Sequence, residues 1–252
     1  MSSDFDKANV LITGAASGIG AATACLLAAR GAKKLILMDR DEERMADFAF
    51  SLPCERQLLV GDVADEDLWA RADLTGLTHA VVNAGIGDSA SIEESGFADW
   101  RRVMSVNLDG AFLTLQAAMR AMKSSGGSIV LTASAAGIKA ESGIAAYAAS
   151  KAAVIQLARV AAKEGAAAGI RVNSIAPGGV ETPIWSSTPF FEDMVERHGG
   201  EQQAYKALAS SATPLGRFAK PEEVAGQIAF LLSEDAAFVT GSCLVSDGGY
   251  SL

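Results

Sequence analysis

Cysteine and histidine are both scarce in this chain. Its 252 residues include three cysteines and two histidines. Cys25, Cys54 and Cys243 are odd in number, widely separated and expected in a helix, a loop and a strand, so they indicate neither a disulfide scaffold nor a thiolate metal site. His79 and His198 lie too far apart in the chain to suggest a catalytic metal cluster. We therefore expect no bound metal.

Positive charge is also in short supply. The chain has 21 Lys and Arg residues against 30 Asp and Glu residues, which gives a net charge of −9. The basic residues are scattered, with no run and no interleaved aromatic residues. This distribution argues against nucleic acid as a partner, and an acidic membrane surface is equally unattractive to such a protein.

Long apolar runs are absent as well. No run approaches the ~18 apolar residues that are needed to cross a bilayer. Asp4 and Asp6 precede the first apolar segment, where a signal peptide would carry basic and then apolar residues. We therefore expect a cytoplasmic protein with no membrane partner.

Short apolar segments recur along the whole chain instead. Half of the residues are hydrophobic, which suits one α/β domain with a sizeable core over residues 1–252. The segments alternate with helical stretches, and this alternation predicts a parallel sheet with helices on both faces. The strand-like segments are residues 10–13, 35–39, 57–61, 80–83, 128–134 and 171–175. The Ala-rich residues 145–168 predict a buried helix.

A glycine-rich loop follows the first strand-like segment and precedes a stretch rich in Ala and Leu. Its sequence is Gly14-Ala15-Ala16-Ser17-Gly18-Ile19-Gly20. Glycines allow a tight turn and a close approach of backbone N–H groups to a pyrophosphate, whose charge a helix amino terminus favours. The spacing differs from that of the standard dinucleotide fingerprint, so taken alone the loop also fits an ordinary structural turn.

An acidic residue ends the second strand-like segment. Asp39 lies nineteen residues after Gly20, near the position where dinucleotide folds bind the adenosine ribose. Its carboxylate can accept hydrogen bonds from both ribose hydroxyls but would repel a 2′-phosphate, and Ser17 offers no compensating cation. Arg40 can stack on adenine or pair with a phosphate. The pattern favours NAD over NADP.

Tyr147 and Lys151 are four residues apart, so on a helix they share a face. An ammonium near a phenol favours the phenolate and lowers the tyrosine pKa, which would suit Tyr147 to general acid or base catalysis. Ser134 ends a predicted strand, at the edge where parallel sheets bind ligands. Taken alone, the Tyr and Lys pair also fits an ordinary amphipathic helix.

Together these motifs resemble those of the short-chain dehydrogenase/reductases. The resemblance spans the chain and includes further motifs in the family's order: Asp62-Val63, Asn83-Ala84-Gly85, Asn107, Pro177-Gly178-Gly179-Val180-Glu181-Thr182 and Asp247-Gly248-Gly249. It implies a doubly wound, Rossmann-like parallel sheet of about seven strands with the cofactor across its carboxyl ends.

The resemblance also implies cofactor contacts. Asp62 would bind the adenine amino group, while Asn83 and Gly85 would pass beneath the adenosine ribose. Val180 and Thr182 would hold the nicotinamide carboxamide. The implied cofactor site comprises Gly14, Ser17, Gly18, Ile19, Gly20, Asp39, Arg40, Asp62, Val63, Asn83, Ala84, Gly85, Tyr147, Lys151, Pro177, Gly178, Val180 and Thr182.

The implied chemistry is hydride transfer between the nicotinamide cofactor and a secondary alcohol or ketone. Ser134 would bind the substrate oxygen, and Tyr147 would take the hydroxyl proton in oxidation and return it in reduction. Lys151 would bind the nicotinamide ribose and lower the tyrosine pKa. Asn107 would help to position a water that links Lys151 to solvent.

The substrate is less well defined by the sequence. Residues 184–210 occupy the position of the family's mobile lid, and their aromatic side chains predict either an apolar wall over the substrate or a packing role. An apolar ketone or secondary alcohol would fit such walls. The residues expected to face it are Ala136 and Ile144, in the loop between Ser134 and Tyr147, and Trp185 and Phe190 in the lid.

Two other functions remain open. Many relatives reduce 3-oxoacyl thioesters on an acidic acyl carrier protein, which would require a basic patch near the active-site entrance. Lys123 and Lys163 are the nearest cations before the fifth and sixth strands, so this patch looks weak. A non-catalytic NAD sensor is the second alternative, although a sensor has no chemical need for the Ser, Tyr and Lys set. The family's last strand often packs across a two-fold axis, and we expect a homotetramer.

Overall fold

The computed structural model describes residues 4–252, apart from the side chains of Ser187, Pro189 and Ser211, so the first three residues of the predicted domain lie outside the described part. Seven strands form its sheet. They are β1 (Asn9–Thr13), β2 (Lys34–Asp39), β3 (Glu55–Val60), β4 (His79–Val82), β5 (Gly127–Thr132), β6 (Ile170–Pro177) and β7 (Cys243–Ser246).

All of the strand pairs in the sheet are parallel, and the order is β3-β2-β1-β4-β5-β6-β7. From β1 the chain first adds β2 and β3 on one side of the sheet and then crosses over to add β4 to β7 on the other side, so β1 pairs with both β2 and β4. This confirms the doubly wound, Rossmann-like topology. The crevice at the carboxyl ends of β1 and β4 is the switch point where such sheets bind ligands.

Helices cover both faces of the sheet, as predicted. They are α1 (Gly18–Ala29), α2 (Glu42–Ala49), α3 (Glu66–Arg71), α4 (Phe97–Met104), α5 (Gly110–Ala121), α6 (Ala145–Gly165), α7 (Pro189–His198), α8 (Glu201–Ala212) and α9 (Pro221–Leu232). Alternate residues of β1 point into different cores: Val10 and Ile12 pack in the core that contains α1 and α9, and Leu11 packs in the core that contains α5 and α6.

Two predicted boundaries are wrong by a few residues. The fifth strand ends at Thr132, so Ser134 lies beyond it and begins a short 3₁₀ turn, Ala135–Gly137. The long helix ends at Gly165 and continues only as a 3₁₀ turn over Ala166–Ala168. The chain then reverses at Gly169, whose φ of +70° is in the left-handed region that favours glycine.

The predicted lid, residues 184–210, contains a 3₁₀ turn (Trp185–Ser187), α7 and most of α8. It follows β6 and therefore leaves the sheet at the same edge as the glycine-rich loop. Among the described residues, no helix is long and apolar enough to span a membrane.

Candidate active site

The glycine-rich loop turns sharply between β1 and α1. Gly14 has a φ of +65°, and a Cβ on Gly20 would collide with the carbonyl oxygen of Gly14. The loop therefore closes on itself only with glycine at these positions. None of the described residues in the first turn of α1 is acidic, so no side chain there opposes an anion. The loop and the helix terminus have the shape and polarity that a pyrophosphate needs.

The loop after β4 braces the glycine loop. Asn83 donates from Nδ2 to the carbonyl oxygens of Thr13 at 3.1 Å and Gly14 at 3.4 Å. The Thr13 hydroxyl oxygen accepts the N–H groups of Asn83 and Ala84 at 2.9 and 3.1 Å. The side chain and the backbone N–H of Asn83 thus hold the two loops together.

Asp39 reaches from the end of β2 to the glycine loop. Its two carboxylate oxygens accept the N–H groups of Ala16 at 3.0 Å and Asp41 at 3.1 Å. Each carboxylate oxygen can accept a further hydrogen bond, so the group can still bind two ribose hydroxyls. Arg40 is exposed beside it.

The next strand end contributes Asp62, which is exposed and accepts the N–H of Ala64 at 2.9 Å. Val63 is buried, and its carbonyl oxygen accepts the indole N–H of Trp69 at 2.8 Å. Of this predicted pair, therefore, only Asp62 presents a side chain that is accessible to a ligand.

The segment after β6 returns to the glycine loop. The N–H of Gly178 donates to the carbonyl oxygen of Ser246 at 3.0 Å, and Val180 is buried. A Cβ on Gly18 would lie 3.1 Å from Cγ2 of Thr182. The structure thus brings Thr182 against the start of α1, close to the part of the loop that is suited to a pyrophosphate.

Lys151 lies in the interior, with 4% of its surface exposed. Its Nζ donates to the carbonyl oxygen of Thr132 at 2.9 Å, and a Cβ on Gly85 would lie 3.2 Å from that Nζ. Burial lowers the pKa of Lys151 to about 8. At neutral pH the group is therefore mainly an ammonium, placed between the ends of β4 and β5.

Tyr147 lies one helical turn before Lys151, whose Nζ is 5.7 Å from the centroid of the phenol ring. Burial raises the pKa of Tyr147, and hydrogen bonding with Ser134 lowers it by a smaller amount. The net shift of the Tyr147 pKa is therefore upward, opposite to the lowering expected from Lys151. The physical reason is that burial disfavours the phenolate, while the ammonium is directed at the Thr132 carbonyl.

Asn107 lies in a π-helical turn, Ser105–Asp109, between α4 and α5. Its Oδ1 accepts the N–H of Ile86 at 2.8 Å, and its Nδ2 donates to the carbonyl oxygen of Ile86 at 2.9 Å and to the Ser150 hydroxyl at 3.2 Å. Both amide hydrogens are thus bound by protein, and only Oδ1 has a lone pair left for the predicted water.

The predicted substrate residues are only partly brought together. The N–H of Ala136 binds Oγ of Ser134 at 3.2 Å, and Ile144 pairs with Ala90 just before α6. Phe190 is 53% exposed, whereas Trp185 stacks on Phe218 with centroids 5.3 Å apart.

The indole of Trp185 also donates to the carbonyl oxygen of Val180 at 2.8 Å. Around it lies an aromatic cluster that includes Phe191, Tyr205 and Phe218. Trp185 and Phe191 thus pack against each other in this cluster, and a wall over the substrate stays a prediction.

Two residues near the site were not predicted. Ser150 receives the Asn107 amide and donates to the carbonyl oxygen of Tyr147 at 2.7 Å. Asp88 lies beside the backbone of Tyr147; burial raises its pKa, and hydrogen bonding from the Tyr147 N–H lowers it by less. Ser150 could have been found from the sequence, because it lies three residues after Tyr147 and so on the same side of the predicted helix. No local sequence pattern indicates that Asp88 lies near Tyr147.

The cysteines lie in α1, in the loop before β3 and in β7, as predicted, and they are free. Across residues 4–252 with described side chains, no cluster of three His, Cys, Asp or Glu residues is arranged to hold a metal ion.

Comparison with known proteins agrees with this geometry. A family model described as Enoyl-(Acyl carrier protein) reductase matches residues 14–251. The chain is 40% identical to cis-4-hydroxycyclohexanecarboxylate dehydrogenase of Sinomonas cyclohexanicum, over 100% of this chain and 99% of the relative. It is 39% identical to cyclohexanol dehydrogenase of Acinetobacter sp. (strain SE19), over 100% and 98%.

The solved structures agree as well. A 3-oxoacyl-[acyl-carrier protein] reductase from Brucella melitensis with bound NAD has a TM-score of 0.86 and 32% identity, and the match covers 100% of this chain and 94% of that one. The chain belongs to the short-chain dehydrogenase/reductase family. It is an oxidoreductase of the class that uses nicotinamide cofactors.

Proposed function

We propose that this protein is an NAD-dependent dehydrogenase that interconverts a small, mainly apolar secondary alcohol and its ketone. The observation that carries the proposal is the pairing of Ser134 with Tyr147 beside the buried ammonium of Lys151. The cyclohexanol and hydroxycyclohexanecarboxylate dehydrogenases to which the chain is similar support a ring-borne secondary alcohol.

The cofactor site fits NAD on three grounds. The glycine loop turns sharply into the start of α1, whose backbone N–H groups favour the negative charge of a pyrophosphate. The Asp39 carboxylate retains acceptor capacity for two ribose hydroxyls and would repel a 2′-phosphate. Asp62 is exposed at the next strand end for the adenine amino group, and Val180 and Thr182 follow β6 where the carboxamide would lie.

The nicotinamide, when bound, exchanges the hydride with the substrate carbon. Ser134 holds the substrate oxygen, and Tyr147 takes the hydroxyl proton in oxidation or returns it in reduction. Because burial raises the pKa of Tyr147, its phenolate needs the positive charge of Lys151 to form. Lys151 lies next to Gly85, in a position to bind ribose hydroxyls at the same time.

Asn107 stabilises the placement of Lys151 and Gly85 through hydrogen bonds to their neighbours in the chain. It joins Ile86, in the loop that carries Gly85, to Ser150 on α6. The free lone pair of Oδ1 can receive a water that continues the proton path from Lys151.

Reduction of a 3-oxoacyl thioester is the second candidate, supported by the similarity to the Brucella melitensis enzyme. Residues 124–126 and 166–169, which follow Lys123 and Lys163 in the chain and carry no positive charge, lead into β5 and β6. Within one chain they lie at the amino ends of the strands, opposite Ser134. The lack of positive charge in these segments therefore gives no information about the charge at the entrance of the active site in the same subunit.

We also propose a homotetramer, because apolar side chains are exposed on two outer faces. Phe112 of α5 and Val160 of α6 lie on one face, Phe230 of α9 lies on the other, and Val245 is exposed on the edge strand β7. Each face suits contact with the same face of a second copy. Light scattering at micromolar concentration tests the assembly, and a monomeric mass would refute it.

The deciding experiment follows reduced-nicotinamide absorbance with NAD and NADP separately. The panel consists of cyclic and open-chain secondary alcohols, their ketones and 3-oxoacyl thioesters. Tyr147→Phe is the control, and it should bind NADH as the wild type does and have no turnover. Tight NADH binding without turnover on any substrate would favour a sensor, and more than a few per cent of wild-type activity in the variant would refute the role of Tyr147.

A further inference from the structure

The turn that follows β7 is held in a single shape by one carboxylate. Oδ1 of Asp247 accepts the N–H of Gly249 at 2.9 Å, and its Oδ2 accepts the N–H of Ser251 at 2.9 Å. These bonds fix the backbone on either side of Tyr250. The Tyr250 ring and its carbonyl oxygen are therefore presented in a defined direction.

Lys139 meets both of these groups. Its Nζ donates to the carbonyl oxygen of Tyr250 at 2.7 Å and lies 4.2 Å from the centroid of the Tyr250 ring. A charge-assisted hydrogen bond and a cation–π contact thus act on the same ammonium. Burial and the neighbouring carboxylate of Glu141 raise the pKa of Tyr250, so its phenol stays neutral near pH 7.

The backbone of Lys139 closes the turn that begins at Ser134. Its N–H donates to the carbonyl oxygen of Ala135 at 2.9 Å, and the N–H of Ala136 donates to Oγ of Ser134 at 3.2 Å. Within this turn, a Cβ on Gly137 would lie 2.7 Å from the carbonyl carbon of Lys151. The turn is thus packed on the catalytic helix at one point and tied to Tyr250 at another.

The same carboxyl-terminal turn contacts the chain that leaves the lid. The N–H of Leu215, three residues after α8, donates to the carbonyl oxygen of Gly248 at 3.1 Å. A Cβ on Gly249 would lie 2.8 Å from Cγ of Pro214. One turn therefore joins the end of the lid to the loop that carries Ser134.

We propose that Lys139 and Tyr250 are positioning residues that clamp the Ser134 turn onto the carboxyl-terminal turn and so hold Ser134 in place for the substrate oxygen. This rests on the proposed function, since Ser134 is the group that is positioned. Neither residue touches the reacting atoms. Loss of the clamp should leave cofactor binding intact and weaken the step in which Ser134 and Tyr147 act together.

The test compares disruptive with conservative variants in steady-state kinetics. Lys139→Met removes both contacts and should lower kcat about tenfold, the effect of losing one hydrogen bond to a charged group, with KM for NAD unchanged. Tyr250→Ala keeps the backbone carbonyl and removes only the cation–π contact, so it should lower kcat about threefold. Lys139→Arg and Tyr250→Phe keep the cation and the ring, and both should retain most of kcat. The double variant should be no worse than Lys139→Met, because that substitution alone already removes the hydrogen bond and the cation–π contact.

Lys123→Met is the matched control, since Lys123 is an exposed lysine just beyond α5 at the opposite edge of the sheet. Hydrogen exchange of the peptide over residues 135–144 supplies a readout that needs no turnover. It should speed up in Lys139→Met and Tyr250→Ala and stay at the wild-type rate in Lys139→Arg. Unchanged exchange in the disruptive variants would overturn the clamp whether or not the wild type is a dehydrogenase. If it is one, an equal loss of kcat in all four single variants would also overturn the clamp.

Discussion

A half-buried histidine, His79, should make this protein lose stability in mild acid. His79 begins β4, its ring meets the Phe5 ring edge to face with centroids 5.6 Å apart, and Nδ1 lies 2.7 Å from Oγ1 of Thr78. Burial lowers the pKa of His79 from 6.5 to about 4, and the nearby guanidinium of Arg171 contributes to the same direction. The folded protein therefore resists protonation at this site.

The sign and size of the stability loss follow from the difference between the His79 pKa in the unfolded chain and in the folded chain. In the unfolded chain His79 takes up a proton near pH 6.5, whereas in the folded chain it does so only near pH 4. Its contribution to stability is full above pH 6.5, is lost as the pH falls from 6.5 to about 4, and then changes no further. At about 1.4 kcal/mol for each pKa unit, the loss is about 3 kcal/mol.

Urea unfolding at pH 7, 6, 5 and 4, at one protein concentration, measures this loss. Carboxylates also contribute to acid unfolding, so the decisive quantity is the difference between wild type and His79→Gln. The variant should lose about 3 kcal/mol less than the wild type between pH 7 and pH 4. His198→Gln, which changes an exposed residue of α7, should behave as the wild type. Equal losses in wild type and His79→Gln would refute the reasoning.

Three further substitutions test the site. Asp39→Ser should raise the ratio of kcat/KM with NADP to that with NAD by about tenfold or more, because the carboxylate no longer repels the 2′-phosphate; an unchanged ratio would remove Asp39 from the ribose site. Lys151→Met should abolish turnover yet raise the urea midpoint at pH 7. Burial lowers the pKa of Lys151 to about 8, so the charged lysine destabilises the folded state at pH 7 and its removal should stabilise it. A lower midpoint would contradict this reasoning. Trp185→Ala should cost about 2 kcal/mol of unfolding free energy, because Trp185 packs on Phe218; a higher KM with unchanged unfolding would restore it to the substrate wall.

Local sequence signals were enough for six of the seven strands in the described residues and for the placement of Tyr147 and Lys151 on one helix. The apolar segment at residues 10–13 and the glycines after it predict strand, turn and helix because burial of a short apolar run and a positive φ are local demands. The four-residue spacing of Tyr147 and Lys151 likewise predicts a shared helix face. These predictions needed no knowledge of which elements meet in space.

The ionisation of the site required the packing. The local argument placed a cation beside Tyr147 and expected a lower tyrosine pKa, but burial raises that pKa in the folded chain. Burial depends on every element that covers the phenol, and a spacing rule contains no such information. The lid shows the same limit of local patterns, because Trp185 packs on Phe218, a residue 33 positions away in the chain.

The sequence by itself therefore determined the fold class, the cofactor class and the placement of Tyr147 and Lys151 on one helix, because each depends on short patterns whose physical demands are local. Only the tertiary structure decided which groups hydrogen-bond the Asn107 side-chain amide and where Trp185 packs. It also decided which lysine donates to the carbonyl oxygen of Tyr250. Those choices rest on contacts between segments that are distant in the chain. Such contacts form only when the whole sheet and its helices bring the segments together.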